Sequence, residues 1–560
     1  MPARDLLLLG AVHTQDPAQP RAEAVLVRGE HIARVGTRAD CEAAASVNAR
    51  VLDLGGGCIT PGLVDAHGHA GLYGRTLVEV DLAGCTSEAE CVARVRERAK
   101  TTPRGQWLRG GGWDQTRWSP PEFPTLDALT AAVPDHPVAL ARVDVHALWV
   151  NARALTACGL DRATQDPPGG RILRRDGGAP AGTLIDTAAD LVTARIPPPT
   201  AAELEVLVLR GLNALRDQGL TGLHDAAAGP LLLEVLERLA SRGALPIRVH
   251  AMIDGGCSDD ELDRRLRRFG AQRAAERLTL ATIATPTIAN TSIGKATPRE
   301  LPGSPRLSGG SVKLFADGAL GSRGAALFDP YEDDAGNTGL WVTEPHELRR
   351  RILRLFSLGV QPGVHCIGDE ACFAVLSAFE EGARTLGGAR LRPRAEHLQL
   401  LRPQDARLLA ASGAVASMQP IHANSDGRWA ESRLGHGTER QRGAYAWRQA
   451  LQAGAVLALG SDVPVELPDP RLGLAAAVAR IPAGASAAWM PEQRLTLDEA
   501  LRGFTWGAAY AEHAEHLRGQ LREGLEADLT LWADDLYALA PEALKSARVA
   551  GTVVAGELRD

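Results

Sequence analysis

The chain has 560 residues, 45% of them hydrophobic, and a formal net charge of −7. That length can bury a large core and exceeds one ordinary domain, while the mild acidity and the lack of a basic block exclude a nucleic-acid binder. No apolar run approaches the roughly 20 residues that span a bilayer, so no membrane segment is expected.

The first sixty residues read as β-hairpins. Residues 6–12 form a short apolar run without a cleavage-like sequel, which fits a first strand better than a signal peptide. Residues 24–35 alternate apolar and polar positions around Gly29, and residues 527–532 and 549–558 resume that pattern. The two ends, 1–60 and 511–560, are therefore expected to build one small composite β-sandwich. Its histidines, His13, His31, His513 and His516, read as surface residues.

From 61 to 510, strand and helix patterns alternate. Candidate strands at 62–67, 222–226, 247–251, 312–316, 361–365, 393–397, 414–418 and 456–460 give the count that an α/β fold of the (β/α)8 TIM-barrel type requires. Helical patterns at 202–218, 231–242 and 345–357 fall between them. Residues from about 71 to 218 are too many for one crossover helix. They predict an inserted subdomain after the first barrel strand, beside the barrel mouth, carrying Trp107, Trp113, Trp118 and Trp149. A second insertion, around 254–310, holds a Thr/Pro/Gly-rich stretch expected to loop over the site.

Several of these strands end in residues of one chemical kind. His67 and His69 lie two positions apart, so on a strand they share a face. Lys313, His365, His397 and Asp462 each lie on or just after a later strand. Taken singly, a strand-end histidine is more often a core or capping group; the joint array suits metal ligation. Lys313 stands out because only four of the 61 basic residues are lysines. Arginine could not replace an amine that must lose its proton, since guanidinium stays charged. Eight scattered cysteines without a C-x-x-C pair argue against a disulfide framework or a structural zinc site, and they point to a reducing cytoplasm.

At these motifs the chain resembles the metal-dependent amidohydrolase superfamily, in particular its family 3 branch, which includes N-substituted formamide deformylases. The resemblance spans nearly the whole chain. It is carried by PGLVDAHGHA (61–70), GGGWDQTRW (110–118), RVDVHALWVNARAL (142–155), SVKLFADGALGSR (311–323), VHCIGDEA (364–371), EHLQL (396–400) and GSDVPVE (460–466). Gly68 departs from the bulkier residue usual between the two histidines, and Glu370 stands where arginine is frequent. A barrel gathers its active site at the C-terminal strand ends. The expected arrangement there is binuclear, with His67, His69 and Asp462 on one ion and His365 and His397 on the other. The resemblance implies that Lys313 is carbamylated and bridges the two. A single-metal site with unmodified Lys313 is the alternative.

The ions are expected to be zinc, with iron or manganese as alternatives. Metal lowers the pKa of a bound water to about 7, and the resulting hydroxide attacks an amide-type carbonyl. Asp462 is expected to accept the water proton and pass it to the leaving nitrogen. The implied activity is hydrolysis of a non-peptide C–N bond in a small molecule; a metal-dependent isomerase or lyase, or an inactive scaffold, are the alternatives. Oligomeric state is not written in the sequence, and a homodimer is the default expectation. Substrate contacts are expected from His422, His146, Trp113, Asp317 and Arg323, with Asp114, Asn151, Ser322 and the His224–Asp225 pair behind them. Asp317 could equally cap a turn.

Overall fold

The computed structural model describes residues 4–143, 147–167, 170–268, 299–300 and 306–559. The chain divides into two compact units: Tyr73–Leu204, and the remainder, made of Met1–Leu72 with Glu205–Asp560.

The larger unit holds the expected barrel. Its strands are β1 (Leu63–Gly68), β2 (Leu220–Ala228), β3 (Arg248–Asp254), β4 (Leu307–Phe315), β5 (Gln361–Cys366), β6 (Arg394–His397), β7 (Val415–Met418) and β8 (Val456–Leu459). Each pairs in parallel with the next. A bridge between Gly68 and Val463, with Asp462 N–H donating to the His67 carbonyl at 2.7 Å, draws β8 back to β1. The ring is thus nearly closed. The helices over it bury apolar faces at helical spacing. Pro345–Ser357 starts on a proline, whose missing N–H is not needed there. It turns Leu348, Ile352, Leu355 and Phe356 inward, and Phe356 packs edge-on against Phe379 of helix Asp369–Leu386.

The two chain ends meet in one seven-stranded sheet. Its order is Glu557–Arg559, Val549–Val554, Leu529–Trp532, Arg50–Pro61, Leu6–His13, Arg21–Arg28, His31–Gly36. The sequence expectation is a small composite β-sandwich; the described residues of the two ends form this one sheet. One face buries Leu6, Leu8, Val25, Val27, Ile59, Leu529 and Leu531; the other packs Leu7, Leu9 and Leu26 beside Cys41. Here the reading of His13 as a surface residue fails. It is only 4% exposed, because it follows buried Val12 at the end of a strand both of whose faces are covered.

The smaller unit has its own six-stranded sheet, from Val80–Asp81 to Gly170–Arg174, and its own core. Trp149 packs edge to face against both Trp113 and Trp118, which are tilted to each other. Most of the second expected insertion lies outside the described residues; its described parts include helix Asp259–Arg268 and the short strand Arg299–Glu300, and its last residues, from Leu307, belong to barrel strand β4. No described helix is long and apolar enough to cross a membrane.

Candidate metal centre

Buried Asp462 follows β8, and four histidines converge on it. Its Oδ1 lies 3.4 Å from His69 Nε2 and 3.6 Å from His67 Nε2; its Oδ2 lies 3.9 Å from His422 Nε2 and 4.0 Å from His397 Nδ1. His67, His397 and Asp462 each offer a ligand atom within 4.8 Å of the others. The ring of His365, from β5, stands 4.7 Å from that of His397. Lys313, from β4, is 1% exposed, with Nζ 4.8 Å above the Phe315 ring. Its charge is felt at His67 and His365, and it in turn feels Glu396 and Asp462.

The backbone is bent to make this convergence. Neighbouring residues of a strand point to opposite faces, yet both Glu396 and His397 reach His67. The break falls at His397 and Leu398, whose φ angles are +70° and +42°; Asp462 also adopts a left-handed φ, +63°. Such conformations cost about 1–3 kcal/mol each in a non-glycine residue and persist where surrounding structure enforces them.

A shell of buried polar groups aims the histidines. Glu396 Oε2 lies 2.6 Å from His67 Nδ1, and Gln419 Oε1 lies 2.9 Å from His397 Nδ1. Both acceptors call for an N–H at Nδ1, leaving the lone pair of each Nε2 free to ligate, the usual arrangement for metal-binding imidazoles. Arg394 holds Glu396 in turn at 2.7 Å and also bonds His224 Nδ1 and the Ala66 carbonyl. Asp65 accepts the backbone N–H groups of His67 and Ser461, tying β1 to the segment after β8. Glu396, Arg394, Gln419 and Asp65 were not assigned roles from sequence. A charge inside a strand already carrying a ligand was the available signal for the Glu396–Arg394 pair.

Glycines set the closeness of β1 and β8. A Cβ on Gly460 would stand 2.5 Å from Asp65 Oδ1 and 2.7 Å from the His67 nitrogen. One on Gly68 would stand 2.8 Å from Val463 Cγ1, so the residue that departs from the family pattern sits where the strands touch.

The electrostatics suit a cation. Burial pushes His365 down to about 3, aided by the Lys313 charge, and burial also lowers His67 and His397. These imidazoles are thus neutral, the form that ligates metal. Burial likewise depresses Lys313, against the pull of Glu396 and Asp462. At Asp462 burial favours the neutral acid, but the His69 hydrogen bond and the polar rings gathered around the carboxylate outweigh it and hold the group well below the usual carboxylate range. His365 Nε2 and His422 Nε2 are buried without a hydrogen-bond partner. Orphaned imidazole nitrogens around an ionised carboxylate fit a divalent metal of the zinc, iron or manganese type.

The remaining expected residues fall in different places. His422 joins the group. Asp317 does the work of a turn: its carboxylate accepts the N–H groups of Ala326, Ile367 and Gly368, and its Oδ1 stands 3.7 Å from His365 Nε2. Arg323 is engaged by Asp333 through two hydrogen bonds, so its guanidinium already has its anion. Ser322 caps locally onto the Ala319 carbonyl. Asp225 accepts the Ala70 N–H. In the smaller unit Trp113 has no exposed surface and donates to the Leu140 carbonyl, so its role there is core packing. Asp114 pairs with Arg142, and Asn151 caps helix Ala152–Cys158. His146 lies outside the described residues.

Comparison with known proteins agrees with this geometry. Residues 50–559 match the sequence model of the amidohydrolase family. The putative amidohydrolase YtcJ of Bacillus subtilis is 30% identical across 98% of both chains. The N-substituted formamide deformylase of Arthrobacter pascens is 28% identical, over 99% of this chain and 98% of its own. An uncharacterized metal-dependent hydrolase from Pyrococcus furiosus superimposes with a TM-score of 0.74 at 25% identity, covering 96% of this chain and all of that one.

Proposed function

Since this chain belongs to the amidohydrolase family and is a metal-dependent hydrolase, we propose that it cleaves a non-peptide C–N bond of the amide, formamide or cyclic-amide type in a small molecule. The observation that carries the reading is the joint approach of His67, His397 and Asp462, with His69, His365 and Lys313 beside them.

In this reading His67, His69 and Asp462 would hold one divalent ion, and His365 and His397 would hold a second. Lys313 would serve them as a carbamate, formed when its neutral amine adds carbon dioxide and releases one proton. Bound metal supplies Lewis acidity toward the carbonyl and a water made acidic enough to attack near neutral pH. Asp462, held ionised and hydrogen-bonded to His69, takes the proton of the attacking water and returns it to the departing nitrogen. Without that proton an amide nitrogen leaves poorly. His422 faces the same carboxylate from the start of helix Pro420–Leu434, and in this reading it would orient the substrate.

The test is a turnover screen of metal-loaded protein against N-formyl and N-acyl amines, cyclic amides, ureas and carbamates, run in ¹⁸O-labelled water. Hydrolysis puts the label in the product, whereas isomerisation or elimination does not. Lys313→Ala is expected to lose metal and activity together, with partial rescue by a short carboxylic acid. Metal-loaded protein inert toward the whole panel would refute the proposal.

A further inference from the structure

The terminal sheet contains a second cluster of ligating side chains, sharing no residue with the barrel group. His13 closes strand Leu6–His13, Cys58 lies in the adjoining strand Arg50–Pro61, and Asp535 follows Leu529–Trp532. Each offers a ligand atom within 4.8 Å of the other two. Cys58 is fully buried, and His13 is 96% buried, with neither ring nitrogen hydrogen-bonded. Asp535 Oδ1 is 3.4 Å from His13 Nε2 but out of hydrogen-bonding line. The imidazole stacks on Tyr537, centroids 4.0 Å apart, so its packing is through the ring face and its nitrogens are unspent.

A buried neutral imidazole with both nitrogens unpaired is costly, because each polar atom has given up water for nothing. The thiol lies beside it and donates a hydrogen bond to the Asp534 carbonyl at 3.5 Å. A cation answers the deficit of the imidazole and draws on the thiol as a further ligand. We propose that His13, Cys58 and Asp535 bind one divalent thiophilic ion, zinc foremost, with a water as fourth ligand on the solvent side of Asp535.

Imidazole, thiolate and carboxylate are the donor types zinc takes at about 2.0–2.3 Å, so the three side chains need only a small inward movement. On binding, Cys58 gives up its proton to solvent, and the thiolate and carboxylate charges balance the ion. Asp535, whose side chain is one-third exposed, provides the entry. Arg21, stacked on the far ring at 4.3 Å, opposes the ion; Asp534 favours it. The sequence expectation against a structural zinc site rested on the lack of a C-x-x-C pair; the proposed site runs against it and uses a single cysteine. Its effect is to clasp the N-terminal strands to the C-terminal ones.

Cobalt separates the two sites, because the barrel group offers only nitrogen and oxygen donors. Whole protein stripped and reloaded with Co²⁺ is expected to show a near-ultraviolet thiolate-to-cobalt absorption. Cys58→Ser should abolish that band and remove one bound metal per chain by elemental analysis, leaving turnover unchanged. A wild-type protein without the band, or a band that survives Cys58→Ser, overturns the proposal. If Cys58→Ser does not fold, Asp535→Asn decides: cobalt affinity read from the band should fall at least about tenfold, and an unchanged affinity overturns the site.

Discussion

Glu396 and His67 stand 329 residues apart in the chain and 2.6 Å apart in the structure, a carboxylate oxygen against an imidazole Nδ1. The contact fixes which nitrogen of His67 faces Asp462. Glu396→Gln retains the shape but offers either an acceptor or a donor to the ring. Metal affinity is expected to fall by about 10–100-fold, measured by chelator competition, and unaltered affinity would remove Glu396 from the positioning shell.

Arg394 is fully buried and answers the Glu396 charge. Arg394→Met leaves that carboxylate in the barrel interior with no cation of its own. A stability loss of about 3–5 kcal/mol is expected, visible as a lower urea midpoint. The double variant Arg394→Met with Glu396→Leu should recover part of it.

Asp462→Asn keeps an oxygen donor and removes the proton acceptor. The expected result is folded, metal-binding protein whose kcat is lower by about 10²–10⁴. Near-normal turnover would take the proton-transfer role away from this residue.

Gly460 faces backbone and a buried carboxylate rather than a flexible side-chain end. Gly460→Ala must push β1 and the segment after β8 apart, at about 1–3 kcal/mol. Because that segment bears Asp462, metal content should drop with stability; loss of one without the other would uncouple barrel closure from the site.

His250 gives a pH signature away from the candidate ligands. Its ring nitrogens sit 3.0 Å from the hydroxyls of Ser308 and Ser311, and Ser308 donates to Glu512. Burial pushes the imidazole down to about 4, with Glu512 pulling upward and Arg394 reinforcing the fall. The unfolded residue titrates near 6.5, so between these values the unfolded chain binds more protons and stability rises with pH. The contribution is complete above about 6.5 and disappears as pH falls toward 4. His250→Gln should flatten the decline of the unfolding free energy from urea titrations between pH 7 and 4 by on the order of 3 kcal/mol; parallel curves would contradict the assignment.

The sequence carried the barrel well because each strand is an apolar run with a defined end, and the ends of the first, fourth, fifth, sixth and eighth bear ligating types. Register at His67 and His69 followed from period-two spacing. Glu396 was hidden by that same rule, since alternation assigns it to the face opposite His397 until the left-handed backbone at 397 cancels the rule. Asp65 was hidden inside an apolar run whose partner, Ser461, lies 396 residues away. Trp113 misled because an aromatic-rich insertion next to a barrel strand has the same composition whether its rings face a ligand or one another. His13 misled because the polar turn that follows it gave no sign of the sheet covering it.

The pairing of Leu529–Trp532 with Arg50–Pro61 imposes an order on biosynthesis. At roughly 5–20 residues per second, the early strand leaves the ribosome on the order of a minute before its partner exists. Until then one edge of Arg50–Pro61 offers unsatisfied amides to any other nascent chain. Expression yield in this protein should therefore depend on translation speed and chaperone supply more steeply than the stability of the finished molecule would suggest.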